Sequence, residues 1–233
     1  MNVKFKIGGG IAIVVLGLGA VFGYNYLFPN DPLEMTEHDT SDLVVEDSLQ
    51  TTTTSGIEVA SIDGLIGLYA VLQDSSELFF LNGEDAGTSG KFKEFSVELQ
   101  GDGSLEGMSV TTTINSASLY TFNDLRDEHL QKPEFFNTEN YPEIAFTSTS
   151  VELGDTSYLA KGVINFLGKD VESTLPFNYV GKGEYEDGTV YHVIQGKFYM
   201  NLADFGMDVG ATIAESATVT FYLEMVQEVP GVA

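Results

Sequence analysis

The sequence predicts an all-β domain, a sandwich or a barrel of antiparallel strands, with one short helix and a transmembrane helix in front of it. Beyond residue 59, apolar and polar residues alternate, as they do in strands that bury one face. Residues 119–146 interrupt this alternation with an aromatic-rich segment that has helix signals. An uncharged, apolar run from Ile7 to Phe28 has the length of a membrane span.

Residues 1–28 are predicted to be a signal anchor that crosses the membrane once. As a helix, the run from Ile7 to Phe28 would extend about 33 Å, close to the thickness of a hydrocarbon core. Lys4 and Lys6 precede it and no basic residue follows until Lys91, which places the N-terminus in the cytoplasm. A cleaved signal peptide is the alternative, but the run is long for one. In both cases the remainder is expected to be extracytoplasmic, in the periplasm.

Residues 29–58 are predicted to be a flexible linker between this anchor and a domain at 59–233. They contain eight acidic residues, no basic residue and a run of four threonines, so they cannot bury enough apolar surface to fold alone. His38 lies in this segment and is expected to be exposed to solvent without a functional role.

Eight or nine strands are predicted, with turn-forming pairs such as Asn82-Gly83 and Asp187-Gly188 between them. They cover residues 65–72, 77–81, 91–100, 105–115, 144–153, 157–167, 172–181, 189–201 and 216–227. Strands this short and closely spaced are typical of a sandwich or a barrel. An up-and-down barrel of about eight strands would be wide enough to hold one small ligand.

A short helix is predicted between Asn123, a good N-cap residue, and Pro133, which stops a helix. Phe135 and Phe136 follow it directly. Because apolar residues flank it on both sides, this helix is expected to pack over an open end of a barrel.

Charge and composition exclude several classes of function. The chain has 35 acidic and 10 basic residues, a net charge of −25 at pH 7. Nucleic acids and anionic membrane surfaces both attract basic residues, so neither is an expected electrostatic partner. The chain has no cysteine, no Gly-x-Ser-x-Gly motif and no His-Glu-x-x-His motif. We therefore expect a protein that is not an enzyme and that needs no metal or cofactor.

One compact group of unlike polar residues lies in the predicted helix: Arg126, Asp127 and His129. Arg126 is the only arginine of the chain, and its planar guanidinium suits a carboxylate or phosphate of a ligand. The same geometry suits a structural ion pair that fixes the helix to the barrel. A histidine can also act as an acid or a base near neutral pH. The residues themselves leave these alternatives open.

Phenylalanine is abundant, with 16 residues. An ordinary core explains any single one of them. As a set they are numerous for a tightly filled interior, and Phe135, Phe136, Phe146 and Phe166 are candidates for the wall of an apolar ligand cavity.

The order and spacing of residues 125–148 resemble the YceI-like family. The resemblance is carried by Leu125-Arg-Asp-Glu-His-Leu130, Phe135-Phe136, Tyr141-Pro142-Glu-Ile144 and Phe146-Thr-Ser148, and weaker agreement extends it over roughly residues 65–226. It implies a lipocalin-like antiparallel β-barrel outside the cytoplasm that holds a polyisoprenoid chain or a quinone-like lipid. Two positions depart from the family: Leu202 stands where an arginine is common, and Ser75 where a histidine is.

The resulting hypothesis is a non-catalytic carrier of an isoprenoid lipid or quinone, attached to the membrane through its N-terminal helix. Its predicted ligand-binding residues are Arg126, Asp127, His129, Phe135, Phe136, Phe146 and Phe166. Association into a homodimer is left open. The alternatives are an enzyme that acts on a small amphiphile through His129 and Arg126, and a ligand-free structural or adhesion module.

Overall fold

The computed structural model describes residues 61–62, 64–83, 88–210 and 213–228, together with short pieces at 6–7, 10–11, 38, 40–41, 43–44, 52–54 and 57–59. In these pieces β1 (Lys6–Ile7) pairs with β2 (Gly10–Ile11), and β3 (Thr52–Thr54) pairs with β4 (Ile57–Val59). Residues 6–7 and 10–11 lie in the predicted transmembrane helix at 1–28 but are strands here, and the rest of that helix falls outside the described residues. Within them, no helix combines the length and the apolarity that crossing a bilayer requires.

Eleven further strands and one α-helix are described between residues 66 and 227. They are β5 (Ile66–Val71), β6 (Glu77–Asn82), β7 (Thr88–Phe92), β8 (Phe95–Asp102), β9 (Ser109–Asn115), β10 (Leu119–Tyr120), α1 (Asp124–Leu130), β11 (Glu143–Leu153), β12 (Tyr158–Phe166), β13 (Lys169–Glu184), β14 (Val190–Asn201) and β15 (Ser216–Gln227). The burial of β8 alternates strictly between inner and outer residues, which is the periodicity that predicted the strands.

The sheet closes on itself through β15. One edge of β15 pairs with β14, and its other edge pairs first with β6 and then with β5. β5 and β6 therefore act as one interrupted strand of the barrel wall. β8 and β7 together form the next strand position, and β9 and β10 together form the one after it. The result is a closed antiparallel barrel of eight strands. The all-β prediction is confirmed, and of the two architectures left open the barrel is the one formed.

The two ends of the barrel are closed differently. At one end, β10 leads into α1, and the turn Leu202–Phe205 follows β14; we call this the α1 end. At the opposite end, the far end, Ile62 is completely buried and its N–H donates to the Tyr158 hydroxyl at 3.0 Å. The Tyr158 ring stacks on Phe177 with centroids 5.5 Å apart. The far end is thus filled by packed side chains.

Part of the predicted linker packs on the outside of the barrel. Val44 and Lys182 exchange backbone hydrogen bonds of 2.8 and 3.0 Å, and the His38 ring lies parallel to Tyr222 at 3.6 Å. His38 Nε2 is 3.7 Å from a carboxylate oxygen of Glu77. The expectation that His38 is solvated is therefore wrong, because the outer wall offers it an aromatic ring and a carboxylate. We call the described residues 38, 40–41 and 43–44 the strap; the extent of a flexible linker around it remains a prediction.

A tyrosine cluster surrounds one carboxylate on the same outer wall. The hydroxyls of Tyr185 and Tyr222 both donate to the Glu224 carboxylate, the second at 3.1 Å. Burial, and to a smaller extent the hydrogen bond to Glu224, raise the pKa of Tyr185 to about 12. Burial and the charge of Glu224 also raise the pKa of Tyr222. Both phenols are therefore held protonated in the folded protein.

We expect the free energy of unfolding to fall as the pH rises from 10 to about 12. In the unfolded chain Tyr185 releases its proton at its ordinary pKa of 10.0, whereas the folded protein keeps that proton to about pH 12. The stabilisation is thus complete below pH 10 and is lost between pH 10 and about pH 12. Urea unfolding at a series of pH values measures the free energy of unfolding. Tyr185→Phe should flatten the fall, and an unchanged slope in this variant would contradict the assignment.

Candidate functional site

The interior of the barrel contains a cavity of about 180 Å³. Each strand directs every second side chain inwards, and β15 contributes five of these to the wall. They are Ala217, Val219, Phe221, Leu223 and Met225. One water molecule needs about 10–15 Å³ by the same measure, so this space exceeds an ordinary packing defect by an order of magnitude.

The wall of this cavity is almost entirely apolar. Of its 32 described residues, only Asn82, Thr88 and Thr112 are polar, and none has an ionisable side chain. The Asn82 amide already donates to the carbonyl oxygens of Ala214 at 2.9 Å and Ser216 at 3.1 Å. The described wall can therefore shelter an apolar molecule, and it presents no acid or base to it.

Phe136 packs the segment after α1 against the aromatic wall of the cavity. Its N–H donates to the Leu130 carbonyl at 3.0 Å, which folds the chain back after α1. Its ring lies 5.9 Å from those of Phe80 and Phe92 and 5.6 Å from that of Phe166, a spacing typical of favourable ring pairs. The turn after α1 thus closes this end of the cavity with aromatic side chains.

Arg126 and Asp127 form a buried polar cluster with Thr121, just outside the cavity. Arg126 donates from Nε to the Thr121 hydroxyl at 2.8 Å and from its terminal nitrogen to the Thr121 carbonyl at 2.6 Å. Asp127 accepts from the Thr121 N–H at 2.9 Å and from its hydroxyl. The Asn123 side chain caps α1 by accepting from the Arg126 N–H at 3.0 Å. This network fastens α1 to the end of β10.

His129 lies on another side of the helix from this cluster. Its Nε2 is 3.7 Å from a Glu134 oxygen, and its ring meets the edge of Phe135 at 4.9 Å. The side chain is partly exposed, whereas the Arg126 side chain is buried. The structure therefore does not bring Arg126 and His129 together around one described pocket.

The predicted site residues divide into two groups. Phe135, Phe136, Phe146 and Phe166 line the cavity, whereas Arg126, Asp127 and His129 lie outside its lining. Contact of any of them with a ligand remains a prediction. Thr121 was missed, because a threonine carries no distinctive sequence signal and its position depends on the fold. Leu202, noted for the absence of an arginine, is buried and lines the cavity, which keeps that part of the wall apolar.

The described residues contain no group of three or more histidine, aspartate or glutamate side chains arranged to hold a metal ion. Taken with the closed sheet, the cavity defines a lipocalin-like β-barrel with an enclosed apolar interior. Residues 69–225 match the model of the YceI-like domain, and the chain belongs to this family.

Individual relatives agree with this assignment. The UPF0312 protein plu2095 of Photorhabdus laumondii is 32% identical over 121 residues, which are 51% of this chain and 62% of that protein. The chain thus spans less than two thirds of the length of this curated relative.

Solved structures share the fold. Burkholderia cenocepacia BcnA superposes with a TM-score of 0.59 at 20% identity and covers 66% of this chain and 98% of its own. A polyisoprenoid binding domain from Saccharophagus degradans superposes with a TM-score of 0.50 at 14% identity, over 69% of this chain and 98% of its own. At these identities the likeness establishes the barrel architecture alone.

Proposed function

We propose that this protein binds and carries a long isoprenoid lipid or a quinone-like amphiphile in its barrel, without catalysis. The observation that carries the proposal is the cavity of about 180 Å³ with three polar residues among the 32 described in its wall. The polyisoprenoid binding domain of Saccharophagus degradans, which has the same fold, supports this class of ligand.

Burial of an apolar chain supplies enough free energy for binding. Each CH₂ group removed from water contributes about 0.8 kcal/mol. Ten buried carbons therefore contribute roughly 8 kcal/mol, the free energy of a micromolar complex before the entropy costs of association. A guest of this kind needs no charged partner, in keeping with the absence of ionisable side chains from the described wall.

Catalysis on a small amphiphile would need an acid or a base beside the guest. Arg126 is engaged with Thr121 and His129 faces Glu134, and neither side chain lines the cavity. The ligand-free alternative, a solid barrel that serves only as a scaffold, conflicts with the open interior. Binding without chemistry is therefore the function that the geometry supports best.

We also propose that residues 1–28 remain attached as an uncleaved anchor and that the barrel lies outside the cytoplasm. The apolar run from Ile7 to Phe28 and the preceding Lys4 and Lys6 support this orientation. A barrel held beside a bilayer by a short tether would meet its lipid ligand where that ligand resides.

Native mass spectrometry of the full chain, purified from the membranes of its own host, tests both proposals. We expect a mass of 25.3 kDa for the intact chain plus that of one non-covalently bound lipid, identified by fragmentation. A chain shortened by its N-terminal run would contradict the anchor. Ligand-free protein in several preparations would contradict lipid carriage.

A further inference from the structure

Two large apolar side chains, three residues apart in the sequence, are exposed at the α1 end of the barrel. Phe122 is 60% exposed just before the helix cap, and Leu125 is 69% exposed in the first turn of α1. The Phe122 ring packs against Tyr120 at 4.4 Å, and the Lys93 ammonium lies 3.3 Å from the centre of the Tyr120 ring. Aromatic rings with a lysine beside them are typical of protein surfaces at a membrane interface.

The backbone at Phe122 is held in an unfavourable conformation. Its φ is 58°, in the left-handed region that bulky residues rarely adopt. On each side of it the chain is fixed by hydrogen bonds: the buried Thr121 belongs to the Arg126 cluster, and Asn123 caps the helix. Single exposed apolar residues are common and need no explanation. A strained residue that is fixed with its ring in solvent is a candidate for a functional surface, because strained residues cluster at such surfaces.

This exposed pair belongs to the same segment that closes the cavity. Leu130, Phe135 and Phe136 of that segment line the cavity, only a few residues after Leu125. A lipid that enters or leaves at the α1 end would therefore pass close to Phe122 and Leu125.

The strap approaches the α1 end as it is followed towards the N-terminus. Val44 pairs with Lys182 of β13. Lys182 pairs with His192 of β14, which in turn pairs with Met225 of β15. His38 lies against Tyr222, three positions nearer the α1 end along β15. Only residues 29–37 separate His38 from the apolar run, and they extend about 30 Å at most. A membrane anchor would thus be held close to the barrel.

We propose that the α1 end docks on the surface of an uncharged lipid bilayer, with Phe122 and Leu125 inserted among the lipids. This inference rests on the proposed function. It identifies the α1 end as the face of the barrel through which the carried lipid is exchanged with the bilayer. The neighbouring acidic residues Asp124 and Glu128 are exposed, so an anionic surface would repel this end and a zwitterionic one would accept it.

Tryptophan fluorescence tests this docking, because the chain contains no tryptophan of its own. The full chain carrying Phe122→Trp is reconstituted into phosphatidylcholine vesicles, with or without bromine atoms on the acyl chains. We expect emission shifted to shorter wavelength and quenched by the brominated lipid. The matched control is Ile66→Trp, at a residue that is 61% exposed at the far end, and we expect its emission to stay unquenched.

Three results would overturn the proposal. The first is an emission from position 122 that is neither shifted nor quenched, which means that the residue stays in water. The second is a blue-shifted but unquenched emission, which means that protein, such as a second copy of the chain, covers the residue. The third is quenching at position 66 and not at 122, which places the far end on the bilayer. If lipid co-purifies with the chain and any of these results is obtained, the proposal of lipid carriage is supported and the proposal of docking through the α1 end is contradicted.

Transfer of lipid between vesicles provides a second measurement. The double variant Phe122→Ser with Leu125→Ser should slow the transfer of lipid from donor to acceptor phosphatidylcholine vesicles by about tenfold, because it loses apolar insertion. The amount of lipid bound at equilibrium should stay unchanged, since neither side chain lines the cavity. An unchanged transfer rate would contradict docking, and loss of bound lipid with no loss of fold would assign the pair to the binding site instead.

Discussion

Ala160→Phe should weaken lipid binding on the order of 100-fold or more while the barrel still folds. Ala160 is 2% exposed and lines the cavity, so a phenyl ring at this position would occupy space that the guest requires. Displacing roughly four buried carbons of the guest removes about 3 kcal/mol, which corresponds to a factor of more than 100 in the dissociation constant. Titration of the delipidated full chain with a fluorescent prenyl probe measures the effect.

The neighbouring residue Leu159 provides a matched control on the outer wall of the same strand. Leu159→Phe places the same aromatic ring outside the cavity and should leave the affinity within about twofold, since no guest contact changes. Ala217→Phe, from β15, repeats the filling experiment from another strand. If both cavity-filling variants fold, by circular dichroism, and bind the probe normally, the guest does not lie in the barrel.

Arg126→Met should lower the free energy of unfolding by about 3 kcal/mol or more. The variant keeps only the aliphatic part of the side chain and deletes the two hydrogen bonds to Thr121, the residue that also donates to the buried Asp127 carboxylate. A hydrogen bond that involves a charged group contributes about 1.5–3 kcal/mol, so the loss of two accounts for this cost. Urea unfolding of the full chain in detergent measures this loss.

Lys132→Met is the control for this variant, because Lys132 is exposed just after α1 and its substitution should change stability by less than about 0.5 kcal/mol. The pair of variants also separates the two roles considered for the arginine. A structural role predicts a large loss of stability. Normal stability with weakened binding of an anionic amphiphile would show instead that the guanidinium holds a head group.

Much of the barrel could be predicted from local pattern. The two-residue periodicity identified the strands, and Asn123 and Pro133 set the limits within which α1 forms. The closure of the sheet could not be predicted in the same way. It depends on β15 pairing with both β5 and β6, which lie far from it in sequence, and no local signal encodes a partner at that distance.

The aromatic part of the cavity wall was also accessible from the sequence, because inward positions of the strands and the two phenylalanines after α1 are apolar. The position of Arg126 was not. Both a ligand contact and a structural pair use the same guanidinium geometry, and only the burial of Thr121 beside it shows how this arginine is engaged. His38 was misplaced for a related reason: a short polar segment gives no sign of the ring on which it stacks.

The strap has a consequence for aggregation. β13 makes its last pair with β12 at Phe177 and continues to Glu184, so its backbone projects beyond the neighbour that would otherwise cover it. Exposed strand edges of this kind invite pairing with another molecule, which is the first step towards fibrils. Val44 occupies that edge at Lys182, and the strap thereby shields part of a strand edge that would otherwise be open to self-assembly.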